Sequence, residues 1–212
     1  MIYQDLVIVI PAFEPDHRML ELLRDIRLRE DKPFEIVLVD DGSGPDYKAL
    51  FDEAKEKYAC HLLTHSENKG KGRALKTAIS YIIEHLPQAK GIVTIDSDGQ
   101  HTYEDTLKCL DEFLKYPESL VLGVRKFENS VPLRSKFGNL LTRDVLDAFT
   151  GMKVSDTQTG LRVLPASWLE RMLGVEGERY EFEMNMLLAA KEDGIPIREV
   201  GIATIYLDEN QS

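Results

Sequence analysis

Apolar and polar positions follow two rhythms along this chain. Leu6 to Ile10 is an unbroken aliphatic run, and Phe34 to Val39 and Ile92 to Ile95 repeat the pattern. Such runs predict strands covered on both faces. Between them, apolar residues recur at helical spacing. Met19, Leu22, Leu23 and Ile26 follow Asp16, a residue suited to capping; a second helix is expected from Tyr47 to about Tyr58. His61 to Thr64 reads as a short third strand, and the segment Asn68 to Ala74 opens a helix through Ile83. A further helix follows from Tyr103. Strands alternating with helices predict a parallel, doubly wound sheet. Beyond Pro117 the pattern is mixed. Leu120 to Val124 predicts a strand, Leu140, Leu141, Val145, Leu146 and Phe149 a helix, Tyr180 to Ala190 another helix, and Ile202 to Leu207 a last strand. The expected fold is α/β: a mostly parallel central sheet, helices on both faces, and a mixed second half. At 212 residues this is one domain, divided into halves at residues 1–117 and 118–212.

The net charge of −11 argues against a nucleic-acid partner, which needs a cationic footprint. It also means that an anionic substrate must be met by local cations or a metal. No apolar run is long enough to span a bilayer, and Met1 to Ile10 lacks the basic start of a signal peptide. Cys60 and Cys109 stand in no motif, so a reducing compartment is the simpler reading.

Polar clusters follow four of the predicted strands: Glu14, Asp40-Asp41, the loop from Asn68 to Arg73, and Asp96-Ser97-Asp98-Gly99-Gln100-His101. In open parallel sheets, ligands gather beyond the carboxyl ends of the strands. Asp96 and Asp98 would point to the same side of an extended backbone. Their mutual repulsion is relieved by a divalent cation, and hard oxygen ligands suit Mg²⁺ or Mn²⁺ holding a diphosphate. The plainer alternative is a polar turn in which Asp98 caps the helix at Tyr103. Gly70 and Gly72 suit a backbone that bends or comes close to a ligand, with Lys71 and Arg73 adding charge near a diphosphate at a helix N-terminus. The alternative there is a solvated first turn. For Asp40, turn-building is an equal alternative.

The segments Ile10-Pro-Ala-Phe-Glu14, Val39-Asp-Asp-Gly-Ser43, Asn68 to Ala74, Asp96 to His101 and Ser155 to Arg162 occur in an order that resembles the family 2 glycosyltransferases of the GT-A fold. The branch most resembled includes dolichyl-phosphate mannose synthase and the bacterial polyprenyl-phosphate glycosyltransferases. The resemblance implies nucleotide contacts from Pro11, Ala12, Glu14, Asp40, Asp41, Gly70, Lys71, Arg73, Asp96 and Ser97. It implies a metal held by Asp98 and Gln100, with Asp96 contacting the ion through water or the ribose. It implies phosphate binding by Arg125 and Arg134, with Asp156, Gln158 and Arg162 completing the catalytic group. Asp156 is then a general base or an orienting residue. Arg162 has a structural alternative, as partner of a carboxylate such as Asp156 or Glu183. The expected reaction transfers a sugar, with inversion, from a nucleotide sugar resembling UDP-glucose to a polyprenyl phosphate. The rival expectations are a soluble or glycan hydroxyl acceptor, a nucleotide-sugar-binding module, or a nucleotidyltransferase. A lipid acceptor implies work at the cytoplasmic face of a membrane. The basic and apolar stretch from Arg125 to Arg143 would be the docking face, and the chain the catalytic portion of a longer membrane-attached protein.

Overall fold

A computed structural model describes residues 3, 5–28, 34–125 and 154–203. The first half alternates as the pattern predicts: β1 (Leu6–Ala12), α1 (His17–Leu28), β2 (Glu35–Asp40), α2 (Lys48–Tyr58), β3 (His61–Thr64), α3 (Lys71–His85), β4 (Gly91–Thr94) and α4 (Tyr103–Lys115). In the second half lie β5 (Leu120–Arg125), β6 (Arg162–Pro165), the short helix α5 (Leu169–Leu173), α6 (Glu181–Glu192) and β7 (Ile197–Ile202).

The sheet order is β3-β2-β1-β4-β6-β5-β7, with β6 alone running antiparallel to its neighbours. Every residue of β1 is buried, because its side chains alternate between two cores. Leu6, Ile8 and Ile10 pack with Met19 and Leu23 of α1, Phe51 of α2 and Leu110 of α4. Val7 and Val9 pack with Leu75 and Ile79 of α3, Met172 of α5 and Phe182 of α6. From β3 at one edge, α3 carries the chain back to β4 on the far side of β1. That reversal of strand order opens a crevice at the carboxyl ends of β1 and β4.

The last described strand is one that the hydrophobic pattern did not mark. It is Ile197–Ile202, pairing in parallel with β5 from Leu120↔Ile197 to Arg125↔Ile202. It lies at the sheet edge and carries polar residues that hid it from a hydrophobic pattern. Arg198 stacks 3.1 Å from the centre of the Tyr116 ring and reaches Glu112 at 3.2 Å. Residues 204–207, the expected helix through Leu140 to Phe149, and Arg134 lie outside the described residues. No helix among the described residues is long and apolar enough to cross a membrane.

Candidate active site

A cavity of about 260 Å³ occupies the crevice. The end of β1 supplies Pro11, Ala12 and Phe13; Asp41 follows β2; and Asn68, Gly70, Lys71 and Ala74 come from the start of α3. Asp96, Ser97 and Asp98 follow β4, and Arg179 and Tyr180 arrive from the second half. The structure thus brings together eight of the expected residues: Pro11, Ala12, Asp41, Gly70, Lys71, Asp96, Ser97 and Asp98. Glu14, Asp40 and Arg73 do not line this cavity.

Lys71 stands between two carboxylates, 2.6 Å from Asp96 Oδ1 and 2.9 Å from Glu183 Oε1. Burial alone would lower the ammonium pKa, but Asp96 and then Glu183 reverse this and hold it above the ordinary range. Burial likewise pushes the Asp96 carboxyl up, and Lys71 pulls it below its ordinary value. Asp98 Oδ1 accepts the main-chain N–H of Gln100 at 2.9 Å. The cap of α4 is Thr102, whose side chain accepts from the Asp105 N–H at 3.0 Å, so Asp98 is free of that duty. His101 is buried; its Nδ1 has no hydrogen-bond partner and its Nε2 lies 3.9 Å from Asp96. Burial lowers its pKa against the pull of Asp96 and Asp98.

Among the described residues, no three His, Cys, Asp or Glu side chains gather into a ready metal cage. The donor set nevertheless suits a hard ion completed by substrate: Asp98 lines the cavity, while Asp96 is engaged by Lys71. Asp98 is therefore the side chain here that could hold such an ion; Gln100, expected beside it, does not line the cavity.

Asp41 builds the loop as well as facing the cavity. Its Oδ1 pairs with His65 Nδ1 at 2.7 Å and accepts from the Lys69 N–H at 3.0 Å; its Oδ2 accepts from the Gly70 N–H at 2.8 Å. His65 Nε2 in turn lies 2.9 Å from Thr77 Oγ1. With the carboxylate only able to accept, His65 donates from Nδ1, and Thr77 Oγ1 fixes the other side of the ring at Nε2. Asp40 Oδ1 accepts the Ser43 N–H at 2.9 Å, which is the turn-building role. Glu14 is exposed, at φ 48°, and its N–H donates to Ser43 Oγ at 2.9 Å.

The glycines of the α3 loop admit protein, not ligand. A Cβ on Gly70 would stand 2.5 Å from the Glu178 carbonyl oxygen, and one on Gly72 would stand 2.6 Å from Phe182 Cβ. The turn before α6 therefore lies directly on the start of α3. Arg73 serves that contact: its Nη2 donates to Glu178 Oε1 at 2.8 Å, outside the cavity.

In the second half, Arg125 at the end of β5 grips Asp156 through Nε at 2.7 Å and Nη2 at 3.3 Å. Asp156 is fully buried and also accepts the Gln158 N–H at 3.1 Å; Gln158 itself is exposed. Arg162 is buried beneath this loop. It donates to the carbonyls of Thr159 at 2.9 Å, Glu183 at 2.6 Å and Thr157 at 3.0 Å. Its oxygen partners are main-chain carbonyls and not the carboxylate of Asp156 or Glu183, and these bonds shape the loop from below. The loop presses on the acidic pair: Thr94 Oγ1 donates to the Gly160 carbonyl at 2.8 Å, and a Cβ on Gly160 would lie 2.0 Å from Asp96 Oδ2. Sequence reasoning missed Gly160, Arg179 and the bridging role of Glu183. Arg179 sits in a charge-rich stretch that no motif marks.

A parallel α/β sheet, a crevice at its reversal point, an acidic pair at the end of β4 and a mixed second half define the GT-A class of glycosyltransferase. The chain belongs to glycosyl transferase family 2, whose family model matches residues 7–173. It is 29% identical over 220 residues to the UDP-N-acetylglucosamine–dolichyl-phosphate N-acetylglucosaminyltransferase of Methanococcus voltae, covering 95% of this chain and 86% of that protein. It is 25% identical over 232 residues to the dolichyl-phosphate beta-glucosyltransferase of Dictyostelium discoideum, covering 96% and 67%. The fold matches glucosyl-3-phosphoglycerate synthase from Mycobacterium tuberculosis, crystallised with Mn²⁺ and UDP-glucose. The TM-score is 0.72 at 16% identity, over 98% of this chain and 72% of that one.

Proposed function

We propose that this glycosyltransferase moves a sugar, with inversion, from a nucleotide sugar to a polyprenyl phosphate, using Mg²⁺ or Mn²⁺. The observation that carries the acceptor is the pairing of Asp156 with Arg125. A sugar hydroxyl needs a base, and Asp156 would have to release Arg125 to act as one. A phosphate monoester has a second pKa of about 6 and attacks without help. Its need is for cations, and a guanidinium held by a buried carboxylate meets it. Burial works against the Arg125 charge, and Asp156, with smaller help from Asp96 and Asp98, more than restores it. In this reading Arg134 shares the acceptor phosphate.

On the donor side, Pro11, Ala12, Asp41, Gly70, Lys71, Asp96 and Ser97 surround the nucleotide, while Asp98 holds the ion. Bound there, the ion neutralises charge that develops on the leaving diphosphate. The relatives from Methanococcus voltae and Dictyostelium discoideum support the acceptor class through their names. A UDP-glucose-like donor is favoured by the complex of the structural neighbour. The lipid brings the enzyme to the cytoplasmic face of a membrane.

The test incubates the protein and Mn²⁺ with a panel of nucleotide sugars and three acceptors: undecaprenyl phosphate, dolichyl phosphate and a soluble phosphorylated acid. A labelled, solvent-extractable lipid product is expected. Labelled product confined to the soluble acceptor would overturn the lipid assignment.

A further inference from the structure

We infer that Arg179 is a binding residue for the donor's diphosphate, an assignment that rests on the nucleotide-sugar reading above. The cavity is acidic: Asp41, Asp96 and Asp98 line it, in a chain of net charge −11. A nucleoside diphosphate entering it needs fixed positive charge besides a metal ion. Among the described residues, the cations lining the cavity are Lys71 and Arg179.

Lys71 is engaged. One ammonium shared by Asp96 and Glu183 leaves that trio with a formal charge of −1, from one positive and two negative groups. Arg73, the other cation expected near the diphosphate, points to Glu178 outside the cavity.

Arg179 differs from both. Its side chain is exposed, and its Nη1 donates to the neutral Asn68 Oδ1 at 3.2 Å, where both residues line the cavity. A neutral amide is readily exchanged for an anionic oxygen, because the charge-assisted bond is the stronger. The stem of Arg179 lies over Gly70, with its Cγ 2.5 Å from where a Cβ would stand. That packing carries the guanidinium across the loop that opens α3 to Asn68, in the wall of the cavity that Asp96 and Asp98 also line. Its planar fork matches two phosphate oxygens better than an ammonium does. The second half of the chain thus supplies a cation to a cavity whose other charged lining residues, Asp41, Lys71, Asp96 and Asp98, come from the first.

The test is calorimetric titration of the full chain with UDP and with UMP, in Mn²⁺, for wild type, Arg179→Gln and Arg179→Lys. In Arg179→Gln the Kd for UDP should rise roughly ten- to hundredfold, as for loss of a hydrogen bond to a charged group. The Kd for UMP should change far less, and Arg179→Lys should fall between. Equal weakening of UDP and UMP would mean that Arg179 only shapes the loop, and unchanged UDP binding would remove it from the site; either result overturns the inference. The wild type is titrated with GDP and CDP as well, and failure to bind any of the three diphosphates would overturn the donor reading itself, and the assignment with it. Thermal melting of each variant checks that the fold is retained.

Discussion

Asp96 and Asp98 stand two residues apart and have different surroundings. Asp96 is tied to Lys71 and backed by Gly160, while Asp98 lines the cavity with its Oδ1 on the Gln100 N–H. Asp98→Asn should lower turnover by about 100-fold or more, since it weakens the hold on the cation that meets the charge developing on the diphosphate, and loss of one such stabilising group costs about that much. The melting temperature should stay near that of wild type, because the carboxylate is only partly buried and supports no core contact. Steady-state rates across a Mn²⁺ titration check this, and full activity in chelator would exclude a metal role for Asp98. Gly160→Ala should behave otherwise. Its methyl would meet Asp96 Oδ2 at 2.0 Å, so either the loop or the carboxylate must move. Overpacking of this kind costs about 1–3 kcal/mol. Denaturant melts should show that loss, together with a fall in activity, because Asp96 is displaced from Lys71.

At the scale of elements, the start of α3 is where the two halves meet. Gly70 has φ +99°, its N–H serves Asp41, and the turn at Glu178 lies on it. Gly70→Ala adds backbone strain and a clash with main chain that cannot yield cheaply. Destabilisation of about 1–3 kcal/mol from strain alone is expected, with more from the clash, and nucleotide affinity should fall as the Asp41 contacts loosen. Gly44 is the control: at φ +89° it is strained too, but nothing stands within 4 Å of an added Cβ. Gly44→Ala should therefore cost less than Gly70→Ala and leave nucleotide binding intact. Equal costs in paired denaturant melts would show that the Glu178 turn does not rest on α3.

Across the whole molecule, two cores on opposite faces of the sheet hold the crevice in place. The thiols report on one of them, since Cys60 and Cys109 both lie in the core that contains α1, α2 and α4. Burial pushes the Cys60 thiol up to about 11 and that of Cys109 up to about 12. Neither should be alkylated at an appreciable rate at pH 8 in the native state, and both should react at once in denaturant. Both thiols thus ionise in the folded chain above the ordinary value of 9.0, so their contribution to stability is complete below pH 9. It declines as pH rises through 9 toward the folded values, because the unfolded chain loses its thiol protons first. Denaturant midpoints measured from pH 8 to 10.5 should fall, and Cys109→Ala should flatten part of that fall.

The sequence by itself determined the alternation of strands and helices through β5, since uninterrupted aliphatic runs and helical spacing are local patterns. It also marked the rim of the site, because Asp, Gly and Ser stop strands where a parallel sheet binds its ligands. Asp41, Asp96 and Asp98 were legible for that reason, Lys71 from its place in a glycine-rich helix start, and Pro11 and Ala12 only through the family resemblance. Tertiary structure decided which charges are available. Arg73 stands two residues from Lys71 in sequence, yet one turns outward to Glu178 and the other inward to Asp96. Arg162 is bound by carbonyls, and Arg125 rather than Arg162 takes Asp156. Gly70 and Gly160 are required by close approach of segments far along the chain, so neither requirement leaves a local trace. The same holds for Arg179, more than a hundred residues from Asn68, and for β7, whose edge position permits the polar residues that concealed it. Pair distances set charge state and orientation, and spacing along the chain does not encode them.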